Sequence, residues 1–272
     1  MCDCDIKVPP SRVGYFIFGN LKVIKLCGII FTIEQSLVIR FSVLKNFEMK
    51  NCSWLSAHDV TIEAPLLENV FIEQDCESAN REPRSCKIKF TASCIKEFTY
   101  SGCCAIPQPI VLSNSSAARN ASVTIILDND WRDFEETNRL VYQINLQLVI
   151  LLKQFSEVKC IKFDASEVLT QPTVALLSKF AMLTHLDLGS VSGEVLFGLL
   201  QKSPVLNTLI FEGISKFDQD LLNSAVVPDC LASTLQVVEF GIVEELEPNL
   251  SLAKFFMENG MVLERMSFSA VG

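Results

Sequence analysis

Histidine is scarce in this sequence, with His58 and His185 the only two among 272 residues. So few exclude a histidine-rich zinc cluster, and any Ser-His-Asp arrangement would have to use one of them. Cysteine does not fill the gap. Cys2-x-Cys4 and Cys103-Cys104 lack the paired C-x2-4-C spacing of structural zinc, and they read as buried small hydrophobes or exposed thiols. No G-x-x-x-x-G-K-[ST] loop, G-x-G-x-x-G turn or G-x-S-x-G elbow occurs, which leaves nucleotide binding and hydrolase chemistry without a motif. Positive charge is also short: 23 Lys and Arg stand against 32 Asp and Glu, a net charge of -9 with pI near 4.9. That balance argues against nucleic acid or an anionic membrane as partner, since both need a basic footprint.

Long apolar runs are missing too. The most apolar stretch, Leu140 to Leu152, is interrupted by Gln143, Asn145 and Gln147 and is too short to span a bilayer. The start, Met1-Cys2-Asp3-Cys4-Asp5, is acidic where a signal peptide would be basic. The expectation is a soluble intracellular protein, cytoplasmic or nuclear. Its 11 cysteines are then reduced, and the sequons at Asn51, Asn114, Asn120 and Asn249 are chance matches.

What the chain does have is apolar bulk in a repeating pattern. Residues are 49% hydrophobic, with 19 Phe against 3 Tyr and 2 Trp, which predicts a long continuous core rather than disorder. The stretch Leu183-Thr184-His185-Leu186-Asp187-Leu188-Gly189 fits the template L-x-x-L-x-L, whose alternating tail suits a half-buried strand. The template recurs from Leu21, Leu44, Leu67, Ile95, Val158, Leu206, Leu235 and Leu263, in steps of 23 to 29 residues apart from one step of 63. Val123-Ile125-Leu127 supplies a degenerate unit inside that gap. This period predicts an α/β fold, a leucine-rich-repeat solenoid. It would be a curved horseshoe with parallel strands on the concave face and helices and turns on the convex face.

Residues 1–20 form a leading segment in which Phe16-Ile17-Phe18 suits a strand. Repeats follow over 21–226. Linkers Gly28 to Val43 and Cys52 to Pro65 are too short for long helices, and Cys27-Gly28 and Asn51-Cys52 occupy the turn position of the repeat. Mobile loops are expected near 75–84 and 108–120. A long helix is expected near 133–154, with Leu140, Ile144, Leu148, Leu151, Leu152 and Phe155 on one stripe, dividing the solenoid into halves. Later, Ser192 leads into a helix from Val195 to Gln201, and a helical turn is expected in 218–224. Asn249 caps a helix over 250–258, which Asn259-Gly260 closes through a left-handed residue. The strand Leu263 to Phe268 leaves an open edge.

In each repeat the third and fifth template positions point away from the core. Together they give one continuous row of mixed chemistry, with strands about 5 Å apart. The candidate partner-binding residues are Lys25, Glu48, Asn69, Phe71 and Glu97, then Lys162, His185, Asp187, Thr208, Ile210 and Glu239. Phe71 and Ile210 stand out as exposed apolar groups that a partner would explain. For any one of these residues the alternative is a plain solvated strand position. His185 and Asp187 share a face, yet no nucleophile is set against them, so an enzyme, a metal and a cofactor are not expected.

The C-terminal residues carry a more specific signal. Val227-Pro228-Asp229-Cys230-Leu231 is followed by Leu235-Gln236-Val237-Val238-Glu239-Phe240, then Leu252 to Gly260 with its Phe255-Phe256 pair, then Val262-Leu263-Glu264-Arg265-Met266. This resembles plant F-box/leucine-rich-repeat proteins that end in an FBD domain, whose pattern runs V-P-x-C-L, V-E-F, an aromatic pair and V-L-E-x-M. Ala64-Pro65-Leu66-Leu67 and Cys94-Ile95-Lys96-Glu97-Phe98 are similar to that family as well. The resemblance implies that 227–272 are FBD-like repeats continuing the solenoid. It also implies a protein-protein interaction module, the substrate-recognition region of an SCF-type ubiquitin ligase subunit. A Skp-type adaptor and a cullin become partners only if the full gene product has an F-box, since nothing before Leu21 holds three helices. A free-standing scaffold or decoy is the alternative.

Overall fold

The computed structural model describes residues 4–7, 15–32, 35–55, 59–74, 86–103, 109–113, 118–128, 146–164, 168–214, 226–242 and 246–269. The chain divides into two compact units, Met1–Phe155 and Ser156–Gly272.

The first unit is built from short parallel strands that come in threes along the chain. The first set is β1 (Cys4–Lys7), β2 (Tyr15–Phe18) and β3 (Val23–Cys27). The next is β4 (Ile29–Thr32), β5 (Leu37–Phe41) and β6 (Asn46–Lys50), then β7 (Ser53–Leu55), β8 (Val60–Glu63) and β9 (Asn69–Gln74). β10 (Ile88–Thr91), β11 (Glu97–Cys103), β12 (Ile110–Leu112) and β13 (Ser122–Asp128) follow. Stacking puts β1, β4 and β7 in one sheet, β2, β5, β8, β10 and β12 in a second, and β3, β6, β9, β11 and β13 in a third. All are parallel, so each turn of chain lies on the previous one.

The third sheet holds the L-x-x-L-x-L strands. Its register pairs Val23 with Asn46, Asn46 with Asn69, Asn69 with Glu97 and Glu97 with Ser122, which reproduces the template steps, the degenerate unit included. Phe47 of the third sheet meets Phe90 of the second edge to face at 5.2 Å, so the two sheets share a core. Helices and turns were expected behind the template strands. In this unit strands take that place, because the linkers alternate apolar and polar residues at period two: β8 and β10 run buried-open-buried-open. The turn out of the third sheet needs a left-handed residue at one position. Gly28 (φ 62) and Asn51 (φ 49) supply it in successive turns, where the sequence has its Cys-Gly and Asn-Cys pairs.

Within the expected loop 108–120, Ile110 and Leu112 are buried strand residues of β12. The expected helix of 133–154 is described only over 146–153, here α1, with Leu148, Leu151 and Leu152 buried. Just after α1 the Gln154 side chain serves as a strand partner for β12: Oε1 accepts from the Leu112 N–H at 2.5 Å, and Nε2 donates to the Ile110 carbonyl at 2.7 Å. Phe155 then packs on Phe98 with centroids 4.9 Å apart, and the unit boundary follows.

The second unit pairs strands with helices, as the repeat predicts. Its order is β14 (Cys160–Asp164), α2 (Gln171–Ala175), β15 (His185–Val191), α3 (Gly193–Lys202) and β16 (Thr208–Ile214). α4 (Asp229–Ser233), β17 (Val237–Ile242), α5 (Leu246–Asn259) and β18 (Arg265–Ser269) complete it. β14 to β18 form a parallel sheet in chain order. Ser192 caps α3, its Oγ accepting from the Val195 N–H at 3.4 Å. Phe255 of α5 contacts Phe197 of α3 at 5.1 Å, and Phe256 contacts Phe240 of β17 at 6.4 Å, which seats both helices on the core.

Two expectations about α5 are corrected. Asn249 is not its cap, because the helix begins at Leu246 and Asn249 lies buried in its first turns. Nor is the exit left-handed, since neither Asn259 nor Gly260 has positive φ. Glycine fits there through close approach instead: its N–H donates to Phe256 O at 2.7 Å, and a Cβ would lie 2.6 Å from that oxygen. On the edge strand β18, Phe268 is 45% exposed, whereas the matching Phe240 one strand inward is at 1%. The expected features at His58, 75–84 and 218–224 lie outside the described residues. Among the described residues no helix is long and apolar enough to cross a membrane.

Candidate protein-interaction face

Alternation dictates the face. Along β15, Leu186 and Leu188 are buried while His185 and Asp187, the residues before and between, are partly open. The same holds in β6, where Phe47 and Met49 are buried and Asn46, Glu48 and Lys50 are not. Register then gathers the open side chains of neighbouring strands into rows.

In the first unit one row runs Val23, Asn46, Asn69, Glu97, and the next runs Lys25, Glu48, Phe71, Thr99. The Asn69 side-chain amide donates to Asn46 Oδ1 at 2.5 Å. Lys25 lies 2.7 Å from Glu48, and Lys50 bridges Glu48 at 3.6 Å and Glu73 at 3.1 Å. Lys25 draws the Glu48 carboxyl below its ordinary range. Phe71 is not the exposed apolar group the sequence suggested. It is half-buried, with the Lys50 ammonium 5.0 Å from its ring centroid, a cation–π contact that covers its face.

In the second unit the rows are Cys160, His185, Thr208, Val237, Arg265 and Lys162, Asp187, Ile210, Glu239, Ser267. Lys162 donates to Asp187 at 2.9 Å and Arg265 to Glu239 at 2.6 Å. The hydrogen bond to Asp187 holds the Lys162 ammonium above its ordinary pKa. Ile210 is half-buried, correcting the expectation of full exposure. Asp187 engages lysine rather than histidine. Among the described residues no group of three or more His, Cys, Asp or Glu is arranged to hold a metal.

The candidate residues thus assemble into two patches, Lys25, Glu48, Asn69, Phe71 and Glu97 in one unit and Lys162, His185, Asp187, Thr208, Ile210 and Glu239 in the other. Sequence reasoning missed the rows on either side. Glu68 takes hydrogen bonds from Lys45 at 3.2 Å and Lys96 at 2.8 Å, and Gln236 links Asn207 to Glu264. One residue beyond the last template slot lie Lys50 and Glu73 in one unit and Asp164 and Glu212 in the other. Extending the period-two reading by one step toward the C-terminus would have found the second set, whereas Glu68 and Gln236 sit at the second template position, outside the period-two alternation.

The FBD family model matches residues 223–268. An F-box/FBD/LRR-repeat protein of Arabidopsis thaliana is 23% identical over 253 residues, covering 88% of this chain and 51% of the relative. A second protein of that description is 34% identical over 94 residues, covering 34% of this chain and 21% of the relative. An FBD-associated F-box protein of the same plant is 34% identical over 103 residues, covering 36% and 22%. The chain therefore spans between about a fifth and about half of the length of these relatives. No solved structure matches it.

Proposed function

We propose that this chain, a member of the plant F-box/FBD/LRR-repeat family in its repeats and FBD domain, selects a target protein for an SCF-type ubiquitin ligase. The names of two relatives join these repeats to an F-box and an FBD, and the third is named as an FBD-associated F-box protein. The observation that carries the reading is the sheet face itself: open side chains from consecutive strands stand in register, with mixed charge and half-buried apolar residues at Phe71 and Ile210. Repeat proteins use such rows to hold partners. Target contacts fall on the eleven candidate residues and the rows beside them, and the chain binds rather than catalyses.

The test places a photoreactive residue at Thr99, at Thr208, or at Lys89, an open position on the second sheet. Capture of one purified, identified partner from Thr99 or Thr208 but not from Lys89 supports the face. Capture from Lys89 alone refutes it. The ligase role is tested separately, by whether the full gene product co-purifies with a Skp-type adaptor. Target binding without adaptor binding would leave a free-standing scaffold.

A further inference from the structure

The template repeats in one backbone contact as well as in its side chains. The carbonyl of its second residue accepts two consecutive N–H groups from the strand that follows. In the second unit Lys159 O takes those of Thr184 and His185 at 2.9 and 3.0 Å, and Thr184 O those of Asn207 and Thr208 at 2.9 Å each. Asn207 O then takes Gln236 and Val237 at 2.9 and 3.0 Å, and Gln236 O takes Glu264 and Arg265 at 2.8 and 3.0 Å. In the first unit the carbonyls of Lys22, Lys45 and Glu68 do the same. Glu264 O is the next acceptor of this series, and the Lys22 and Val23 N–H groups hold the donor positions with which it begins. β18 and β3 are the end strands of their sheets, so these groups face no further template strand among the described residues.

Both end strands are open where inner strands are closed. Leu263 and Met266 are half-buried and Phe268 is exposed, whereas Leu235, Val238 and Phe240 fill the same slots one strand inward and are buried. At the other end Leu21 is exposed and Ile24 and Leu26 are half-buried, whereas Leu44, Phe47 and Met49 are buried. More apolar surface lies behind each end strand. Leu250 and Met257 of α5 are exposed, and so is Phe18 of β2, although its ring stacks on Phe41 at 5.2 Å.

The side chains at the second template position form a ladder of their own. In the second unit Asn207 donates to Gln236 and Gln236 to Glu264, so the last member is a carboxylate. In the first unit the ladder runs Lys22, Lys45, Glu68, Lys96, and Glu68 is shared by Lys45 and Lys96. Lys22, at its start, makes no ion pair among the described residues. One end of the template series thus carries a surplus anion and the other a surplus cation.

We propose that β18 of one copy pairs in parallel with β3 of a second copy, so that the chain assembles head to tail. A second copy fits because its first strand carries what the last strand calls for. Lys22 brings a cation to the Glu264 carboxylate, and Leu21, Ile24 and Leu26 bring apolar residues to Leu263, Met266 and Phe268. In that register Glu264 O accepts the N–H groups of Lys22 and Val23, as every earlier template strand does for its successor. Arg265 then stands opposite Val23 and Ser267 opposite Lys25, so no like charges are directly opposed. Pairing also closes two free strand edges. The contact joins two different surfaces, so it propagates from copy to copy rather than stopping at a symmetric pair. It uses the sheet ends, and it does not rest on the ligase reading.

The test is sedimentation velocity on the purified full chain across a dilution series, with K22E, E264K and the double variant K22E/E264K. Both residues are exposed, so a thermal melt of each variant should match the parent. The parent's weight-average mass should rise above the 30.3 kDa of one chain as concentration increases. Each single reversal sets like charges against each other and should weaken association roughly tenfold, less so at high salt. K22E/E264K restores an opposite pair with its sign exchanged and should recover the parent's association, as should an equimolar mixture of the two single variants. A mass that stays at 30.3 kDa throughout overturns the proposal, as does association that neither reversal weakens or that the double variant fails to recover. Weakening by E264K but not by K22E also overturns it, because that is the signature of a closed dimer joined through two copies of β18.

Discussion

Replacing Gln154 should open one sheet edge in the first unit and leave the second unit intact. β12 is paired on one side with β10, and the two backbone groups on its other side, Leu112 N–H and Ile110 C=O, are both held by the Gln154 amide. Ile110 and Leu112 are 4% and 8% exposed, so water reaches these groups poorly. Leaving a buried donor or acceptor unmade costs about 1–3 kcal/mol each, which puts Gln154→Ala at about 2 kcal/mol or more. Amide hydrogen exchange read by NMR is the direct assay, because opening of β12 exposes the Leu112 amide. At roughly 1.4 kcal/mol per decade, its exchange should speed at least ~25-fold. Gln154→Met keeps the stem but neither hydrogen bond and should match alanine. Gln154→Glu keeps an acceptor for Leu112 but no donor for Ile110, and should fall between. Unchanged Leu112 exchange in Gln154→Ala would refute the argument, as would equal acceleration across β14 to β18.

Leu186→Ala should cost about 2–5 kcal/mol in a denaturant melt, while Asp187→Ala, which loses only an exposed pair with Lys162, should cost about 0–1; the reverse order would mean a strand register off by one. Glu68 is held below the ordinary carboxylate pKa by Lys96 and Lys45, and Glu48 by Lys25. What these pairs contribute is therefore present above the unfolded carboxylate pKa and lost as pH falls through the lowered folded values, and a carboxyl-carbon NMR titration should show both midpoints below those of unpaired glutamates. Burial pushes the Cys86 and Cys230 thiols up to about 11, so iodoacetamide at pH 8 should label exposed Cys27 and Cys94 first, and early labelling of Cys86 or Cys230 read by mass spectrometry would contradict the fold.

The template strands were legible because one period governs both burial and stacking. Each L-x-x-L-x-L apolar slot is a buried residue wherever a strand has neighbours on both sides, as with Leu206, Leu209 and Phe211. The layer behind them was harder to read. Leu37 to Phe41 is a continuous run broken only by Arg40, and such a run does not distinguish a buried strand from a helical turn. The short linkers excluded long helices without naming what replaced them. At α5 local capping chemistry misled, because Asn249 favours a helix start but Pro248 is tolerated in a first turn, so the helix begins earlier at Leu246. On the candidate face the missed feature was a long-range one. Phe71 reads as exposed from its own strand, and only register with β6 brings Lys50 over its ring.

The ion pairs that decorate the two patches are not what holds either unit folded. Lys25 and Glu48 are 71% and 26% exposed at their side chains, and Lys162 and Asp187 are 50% and 23%; pairs so open contribute about 0–1 kcal/mol each. Burial of the alternate residues contributes far more, with Leu206, Leu209 and Phe211 each at 0% exposure. Stability therefore resides on one set of alternate residues, and the other set, where we propose that recognition lies, is free to change without unfolding the stack. Substitutions along the Lys162, Asp187, Ile210, Glu239 row should then alter which partner binds while leaving the melt nearly unmoved, whereas any polar substitution at Leu186 or Leu209 should remove both.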